Sequence, residues 1–391
     1  MLYRRFGRTN LQMPVFSCGG MRYQFKWQDI PLQEIPGDSQ RNLVNIIHRA
    51  VDLGINHLET ARFYGTSEMQ LGQVLPNVDR EKLIVQTKVP PCSDPQEFRQ
   101  IFEKSLTYLQ LDYVDLLGLH GINNQELLDY SIGGCLQVAK ELQAQGKVRF
   151  IGFSTHAPLE VILQAVNTNE FDYINLHWYY INQWNWPAIE AANKLDMGVF
   201  IISPANKGGM LYQPSPKLVE LCQPLSPIVF NDLFCLSHPQ VHTLSIGAAQ
   251  PGDFDEHLKT LELLDTADEI LPPIIAKLEK AAIDTLGEDW IKTWDTNLPV
   301  WENTPGNINI KLILWLLNLA LSYDMIEYGK MRYNLLGNAD HWFPGNRADK
   351  LEELDLQECL GNSPHSEKIP LMLSKAHTIF KGEEVKRLSQ S

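Results

Sequence analysis

The chain has 391 residues, 44% of them hydrophobic and 20% charged, which allows one large core and an added unit beyond a roughly 250-residue barrel. Its 33 Lys and Arg against 47 Asp and Glu leave a formal net charge of -14. Such a surface repels phosphate backbones and anionic lipid, so neither nucleic acid nor membrane is an expected partner. Six scattered cysteines (Cys18, Cys92, Cys135, Cys222, Cys235 and Cys359) show no C-x-x-C spacing, so no zinc or cluster frame is visible and a reducing compartment fits.

The opening MLYRRFGRTN has no apolar stretch of the signal-peptide kind. From residue 12 to residue 265 one alternation then repeats: a short apolar run, a polar or Gly/Pro turn, and a helical pattern. The expected strands are Met13 to Gly20, Ile55 to Glu59, Leu83 to Lys88, Val114 to His120, Val148 to Ser154, Tyr173 to Trp178, Gly198 to Ser203 and His242 to Gly247. Several are apolar on both faces, as a sheet covered on both sides requires. Between them, PQEFRQIFEKSLTYLQL starts after Asp94, a good N-cap, and NQELLDYSIGGCLQVAKELQAQG closes on Gly146. Eight strands alternating with helices, without G-x-G-x-x-G after the first, predict a (β/α)8 TIM barrel over residues 1–267 rather than an open doubly wound sheet. The loop after the first strand, Met21 to Ser39, is long for a compact domain and has the length of a lid or a ligand contact. Residues 268–391 read as a helical C-terminal extension. Their most apolar part, Ile308 to Leu321, is interrupted by Asn309, Lys311 and Asn318 and falls short of the roughly 20 residues of a bilayer span, so a buried helix is expected. A cytoplasmic location follows from these expectations.

In such a barrel the reacting groups gather at the C-terminal ends of the strands. Strand two ends in Glu59 with Tyr64 in its loop, strand three in Lys88, strand four in His120 and strand five in Ser154. A carboxylate, a phenol, an amine, an imidazole and a hydroxyl on successive strands are more than core packing asks for. A Tyr hydroxyl with an ordinary pKa of about 10 is a poor acid–base near neutrality. An ammonium beside it stabilises the phenolate and lowers that value. Glu59 would hold Lys88 charged, His120 would hydrogen-bond a substrate oxygen, and Tyr64 would protonate it. The accompanying hydride needs a cofactor, because no side chain supplies one.

These residues also carry a resemblance. HLETARFYGTSE (His57 to Glu68), QTKVPP (Gln86 to Pro91), LLGLHG (Leu116 to Gly121) and IGFSTHAP (Ile151 to Pro158) resemble the aldo-keto reductase signatures in order and spacing, from about Tyr3 to about Leu258. The resemblance implies Tyr64 as proton donor, Lys88 as its partner and His120 as the substrate-orienting residue, with Glu59 where the family usually has Asp. It implies NADPH or NADH as cofactor. Contacts would come from Gly20, Met21 and Arg22 after the first strand, from Ser154, Thr155 and Asn175 at the carboxamide, and from Ser203, Pro204, Asn206, Lys207, Gly208 and Gly209 at the pyrophosphate. Gly247, Ala248, Ala249, Asp253 and Glu256 would complete them. The stretch SIGAAQPGDFDEHL has no Lys or Arg, so a 2′-phosphate would face Asp253 without charge-assisted bonds, which opens NADH preference against the family habit of NADPH.

The tail motifs YGKMRYNLLGNADHWFPGN and CLGNSPHSEKIP resemble an extension associated with iron–sulfur binding, but a cluster needs about four thiolates and the tail has only Cys359, so no cluster is expected. The expected function is hydride transfer from NAD(P)H to an aldehyde or ketone. The alternatives are a nucleotide-binding regulatory protein with little or no turnover, and a Schiff-base enzyme using Lys88. Tyr23, Phe25, Trp27, Trp178, Tyr179, Tyr180, Trp184 and Trp186 either line an aromatic pocket for a small carbonyl substrate or serve as core contacts.

Overall fold

A computed structural model describes residues 1–384. They form two compact units, one of residues 1–208 with 231–267, the other of residues 209–230 with the chain from 268 onward. Segment 209–230, inside the expected barrel span, therefore packs with the C-terminal helices. Residues 385–391 of the expected extension lie outside the described residues.

The first unit opens with a hairpin, β1 (Tyr3–Arg5) antiparallel to β2 (Gln12–Pro14). Eight parallel strands follow: β3 (Phe16–Gly19), β4 (His57–Glu59), β5 (Ile84–Val89), β6 (Val114–Leu119), β7 (Val148–Ser154), β8 (Tyr173–Leu176), β9 (Gly198–Ile201) and β10 (Thr243–Ile246). They close in chain order, β10 pairing back onto β3. This is the expected (β/α)8 barrel with a C-terminal helical extension. The expected first strand, Met13 to Gly20, divides at Val15: its start belongs to the hairpin and its end to the barrel. Phe6 and Met13 from the hairpin region join Ile84, Leu116, Tyr173 and Phe200 in one buried cluster. The cluster fills the N-terminal end of the barrel, opposite the mouth formed by the C-terminal ends of the strands, where sites of this fold are built.

Every residue of β5 and β6 is buried, because one face fills the barrel and the other meets helices. Helix α1 (Gly37–Asp52) lays Leu43, Ile46, Ile47 and Ala50 on the sheet. Short helix α2 (Ser67–Leu71) follows β4. Helix α3 (Pro95–Leu109) starts as the sequence predicts: the Asp94 carboxylate accepts the Gln96 N–H at 2.9 Å, and Pro95 takes the first helical position, where no N–H is needed. Its stripe Phe98, Phe102, Leu106 and Leu109 is buried at helical spacing, each side chain contributing about 1.5–3 kcal/mol by burial.

In the second unit the expected apolar helix spans Ile310–Tyr323 and is buried nearly throughout. Its one interior amide, Asn318, accepts the Trp290 indole N–H at 2.9 Å through Oδ1, which pairs an indole that burial would otherwise penalise, while Nδ2 has no partner in the protein. The Tyr333 hydroxyl sits 2.8 Å from His377 Nδ1 on helix Lys368–Phe380 and accepts the Ala348 N–H at 3.0 Å. Among the described residues no helix is long and apolar enough to cross a membrane, and no group of three or more His, Cys, Asp or Glu stands where it could hold a metal.

Candidate active site

Glu59 ends β4 and Lys88 lies one residue short of the end of β5, so the barrel brings both side chains to the mouth. Their charges meet in a buried ion pair, with side-chain exposures of 4% and 2%. The Lys88 ammonium also donates to the Thr60 carbonyl at 2.8 Å. Gly118 makes this geometry possible. It faces Lys88 across the β5–β6 register, and a Cβ there would lie 2.9 Å from Lys88 Cγ. One residue earlier on β5, Thr87 donates to the buried Glu68 carboxylate at 2.5 Å, and Glu68 in turn lies 3.4 Å from the Arg62 guanidinium.

Tyr64 stands above the pair. Its ring centroid is 4.9 Å from Lys88 Nζ and 5.6 Å from the His120 ring, which it meets edge-on at 80°. His120 is fixed at the end of β6 by its own N–H, which donates to the Val89 carbonyl at 2.8 Å. The structure therefore brings together all four residues expected to carry chemistry, Tyr64, Lys88, His120 and Glu59. The electrostatics differ from the expectation that Lys88 lowers the phenol's pKa. Burial pushes the Tyr64 phenol up, and burial holds the Lys88 ammonium well below the usual lysine range. The reason is geometric: the ammonium lies under the ring and is committed to Glu59 and the Thr60 carbonyl.

The expected nucleotide contacts divide into three places. At the ends of β7 and β8, Ser154 and Asn175 are register neighbours. The Ser154 hydroxyl oxygen accepts the Gly121 N–H at 2.9 Å. The Thr155 hydroxyl is engaged within the protein: Oγ1 donates to the Ile122 carbonyl at 2.7 Å and accepts the Ala157 N–H at 3.0 Å. Asn175 is the opposite case. It is fully buried, and neither its Oδ1 nor its Nδ2 has a hydrogen-bond partner in the protein. A buried amide without partners costs about 1–3 kcal/mol, so an amide-bearing ligand such as a nicotinamide carboxamide fits there.

After β9, Ser203 turns the chain with φ +55°, and the Lys207 N–H closes the turn on the Ser203 carbonyl at 3.0 Å. Pro204 and Asn206 lie in this turn, and Gly208 packs so closely that a Cβ would fall 1.9 Å from the Pro204 carbonyl oxygen. Gly209, next in the chain, belongs to the second unit. Lys207 Nζ comes within 3.4 Å of His177 Nε2, and that nitrogen lies 2.7 Å from His156 Nδ1. This narrow, positively charged turn suits phosphate oxygens.

At the ends of β3 and β10, the Arg22 guanidinium donates to the Gly247 carbonyl at 2.7 Å and lies 3.5 Å from Asp253. Gly20 and Met21 precede it, and Ala248 is buried beyond Gly247. Asp253 was expected to oppose a 2′-phosphate. Its carboxylate accepts the Ala249 N–H at 2.8 Å and neighbours Arg22. Glu256 accepts Lys259 at 2.6 Å.

Of the aromatic residues considered for a pocket, Trp27 meets Tyr64 edge-on, centroids 6.3 Å apart at 81°. Trp178 and Trp186 pack instead with each other and with His238, and Trp178 stacks on Phe234 at 5.0 Å. Sequence reasoning missed Asp29 and Arg62, which join at one node, and it gave no role to His156 or His177. A signal was present for the histidines: with His120, they end three successive strand-and-loop units.

Comparison with known proteins bears on the family and the fold. The model of the Aldo/keto reductase family matches residues 17–212. The chain is 31% identical over 190 residues to the L-galactose dehydrogenase of Arabidopsis thaliana, covering 45% of this chain and 56% of that protein. It is 31% identical over 135 residues to the oxidoreductase YqkF of Bacillus subtilis, covering 31% of this chain and 42% of the relative. The match thus spans about half the length of these relatives. Among solved structures, the holo form of an aldo-keto reductase from Bacillus halodurans superposes with a TM-score of 0.60 at 21% identity, over 71% of this chain and 96% of that one, a likeness of fold. The chain, matched by the family model over half of its 391 residues, belongs to the Aldo/keto reductase family.

Proposed function

We propose that the protein is an NAD(P)H-dependent reductase of aldehydes or ketones, with Tyr64 as general acid. The single observation that carries this reading is the arrangement of Tyr64 over the buried Lys88–Glu59 pair and against His120. A nicotinamide nucleotide would supply the hydride. Asn175 would grip its carboxamide, the Ser203–Gly208 turn with Lys207 its phosphates, and Arg22 would stand beside Gly247 as the cation that the last motif lacks. His120 would orient the carbonyl oxygen. Tyr64 would deliver a proton to that oxygen; burial keeps the phenol protonated and ready to donate, and it raises the phenol's pKa, so the bound carbonyl and nucleotide would have to offset that weakening of the acid.

The test follows oxidation of NADPH and NADH against a panel of aldehydes, ketones and quinones, with Tyr64→Phe alongside. The expected result is turnover that Tyr64→Phe lowers by at least about 100-fold while nucleotide affinity is kept. Tight nucleotide binding without turnover on any carbonyl would overturn this reading in favour of the regulatory one. Borohydride trapping of a carbonyl on Lys88 would favour a Schiff-base enzyme.

A further inference from the structure

Two loops run side by side in opposite directions across the mouth: the one after β3, and the one after β4 that carries Tyr64. The Phe25 N–H donates to Thr66 Oγ1 at 2.9 Å, and the Thr66 N–H donates to the Lys26 carbonyl at 2.9 Å. Next, the Trp27 ring meets the Tyr64 ring. Two residues further along each loop, the Asp29 carboxylate pairs with the Arg62 guanidinium. Gly65 allows this approach, because a Cβ there would lie 1.8 Å from the Lys26 carbonyl oxygen.

Asp29 is the node of this ladder. Besides Arg62 it accepts the Lys104 ammonium at 2.9 Å and the Tyr108 hydroxyl at 3.0 Å, both on α3. The Arg62 guanidinium covers the Tyr108 ring at 4.7 Å and is only 6% exposed. Charge-assisted bonds from several donors on a partly buried carboxylate hold geometry better than a single surface pair does. One anionic side chain thus pins the loop that presents Trp27 to the framework that presents Tyr64.

We propose that Asp29 is a positioning residue for Tyr64: by tying the loop after β3 to Arg62 and α3, it holds Trp27 against the Tyr64 ring and sets the angle of the phenol at the reaction centre. The consequence for turnover rests on the reductase reading; the consequence for the ring does not. Partial burial alone would raise the Asp29 carboxyl, but the bonds from Arg62, Lys104 and Tyr108 outweigh it and hold the group below the usual carboxylate range. It is therefore charged at neutral pH.

The experiment uses the full chain and Asp29→Asn, which keeps the shape and removes the charge. Ring-labelled tyrosine gives an NMR resonance for Tyr64, assigned with Tyr64→Phe, and nucleotide affinity is read by fluorescence titration. The Tyr64 resonance is expected to move, and kcat to fall about tenfold with the nucleotide Kd within about twofold, in keeping with the sensitivity of proton transfer to sub-ångström placement. Tyr108→Phe, which removes one of the donors to Asp29, gives the same shift to a smaller degree and covers the case in which Asp29→Asn fails to fold. An unmoved resonance overturns the proposal whatever turnover does. A moved resonance with unchanged kcat overturns it equally, since the loop would then not reach the chemistry. If the wild type turns over no carbonyl, the reductase reading falls, and the resonance alone decides whether Asp29 positions the ring.

Discussion

Replacing Glu59 with Ala leaves the Lys88 ammonium, 2% exposed, with the Thr60 carbonyl at 2.8 Å in place of a full counter-charge. Breaking a buried pair by removing one partner costs about 3–5 kcal/mol, because the remaining charge keeps its desolvation penalty. At about 2–4 °C per kcal/mol for a unit of this size, the midpoint of thermal unfolding should fall by roughly 6–20 °C at pH 7. The sign of the pH dependence follows from burial, which already places the Lys88 pKa well below its unfolded value. Above the folded pKa and below the unfolded one, the unfolded chain binds more protons, so stability rises with pH. Removing the carboxylate pushes the folded value further down, so between the variant's folded value and that of the wild type only the variant gains stability as pH rises, and there the deficit of Glu59→Ala should shrink. The double variant Glu59→Leu, Lys88→Met removes both charges and should unfold within a few degrees of wild type, as apolar replacements of buried pairs generally do. It should also lose all turnover. Calorimetry on the three proteins across a pH series is the assay. A Glu59→Ala midpoint within about 2 °C of wild type, or a double variant as unstable as the single, would refute the reasoning.

The remaining predictions concern the nucleotide contact, the loop and acid stability. Asn175→Ala removes an amide whose two polar atoms have no protein partner. Its unfolding midpoint without nucleotide should hold or rise while nucleotide affinity drops about tenfold; a lower midpoint with unchanged affinity would contradict the carboxamide role. Gly65→Ala meets φ +55° and a 1.8 Å clash with the Lys26 carbonyl, so it should lose at least about 2 kcal/mol in denaturant titration. Burial pushes His57 down to about 3 and His242 to about 4. Both are neutral when folded but bind protons when unfolded below about pH 6.5, so stability should be full above that value and decline toward pH 4. A flat stability profile from pH 7 to pH 4.5 would rule this out.

The barrel was legible because its elements are local. Each strand is a short apolar run closed by a turn, and each helix shows a 3.6-residue stripe with a recognisable start, as at Asp94 and Pro95. The hairpin was not legible, because Gln12–Pro14 and Phe16–Gly19 read as one continuous run and differ only in their partners. Segment 209–230 was assigned to the barrel by its place in the chain. Its association with the later helices is a tertiary fact that local periodicity does not encode.

The candidate site divides along the same line. Glu59, Lys88, His120 and Ser154 could be picked out because a parallel barrel converts the order of strand ends into neighbourhood around one mouth, so adjacency in sequence order becomes adjacency in space. What local sequence does not encode is where each polar group spends its hydrogen bonds. Thr155 looked like a ligand donor and is engaged by Ile122, while Asp253 looked like a repulsive charge and neighbours Arg22 from the other end of the barrel sequence. Asp29 and Arg62 gave no signal at all, because an Asp in a long polar loop and an Arg after a strand are each ordinary. Only the 33-residue separation closed by the fold makes them one node. The ends of strands are thus set by topology and can be read in advance. The loops that aim those ends are set by pairings whose entropy of closure depends on the whole chain, and it is there that the fine positioning of Tyr64 resides.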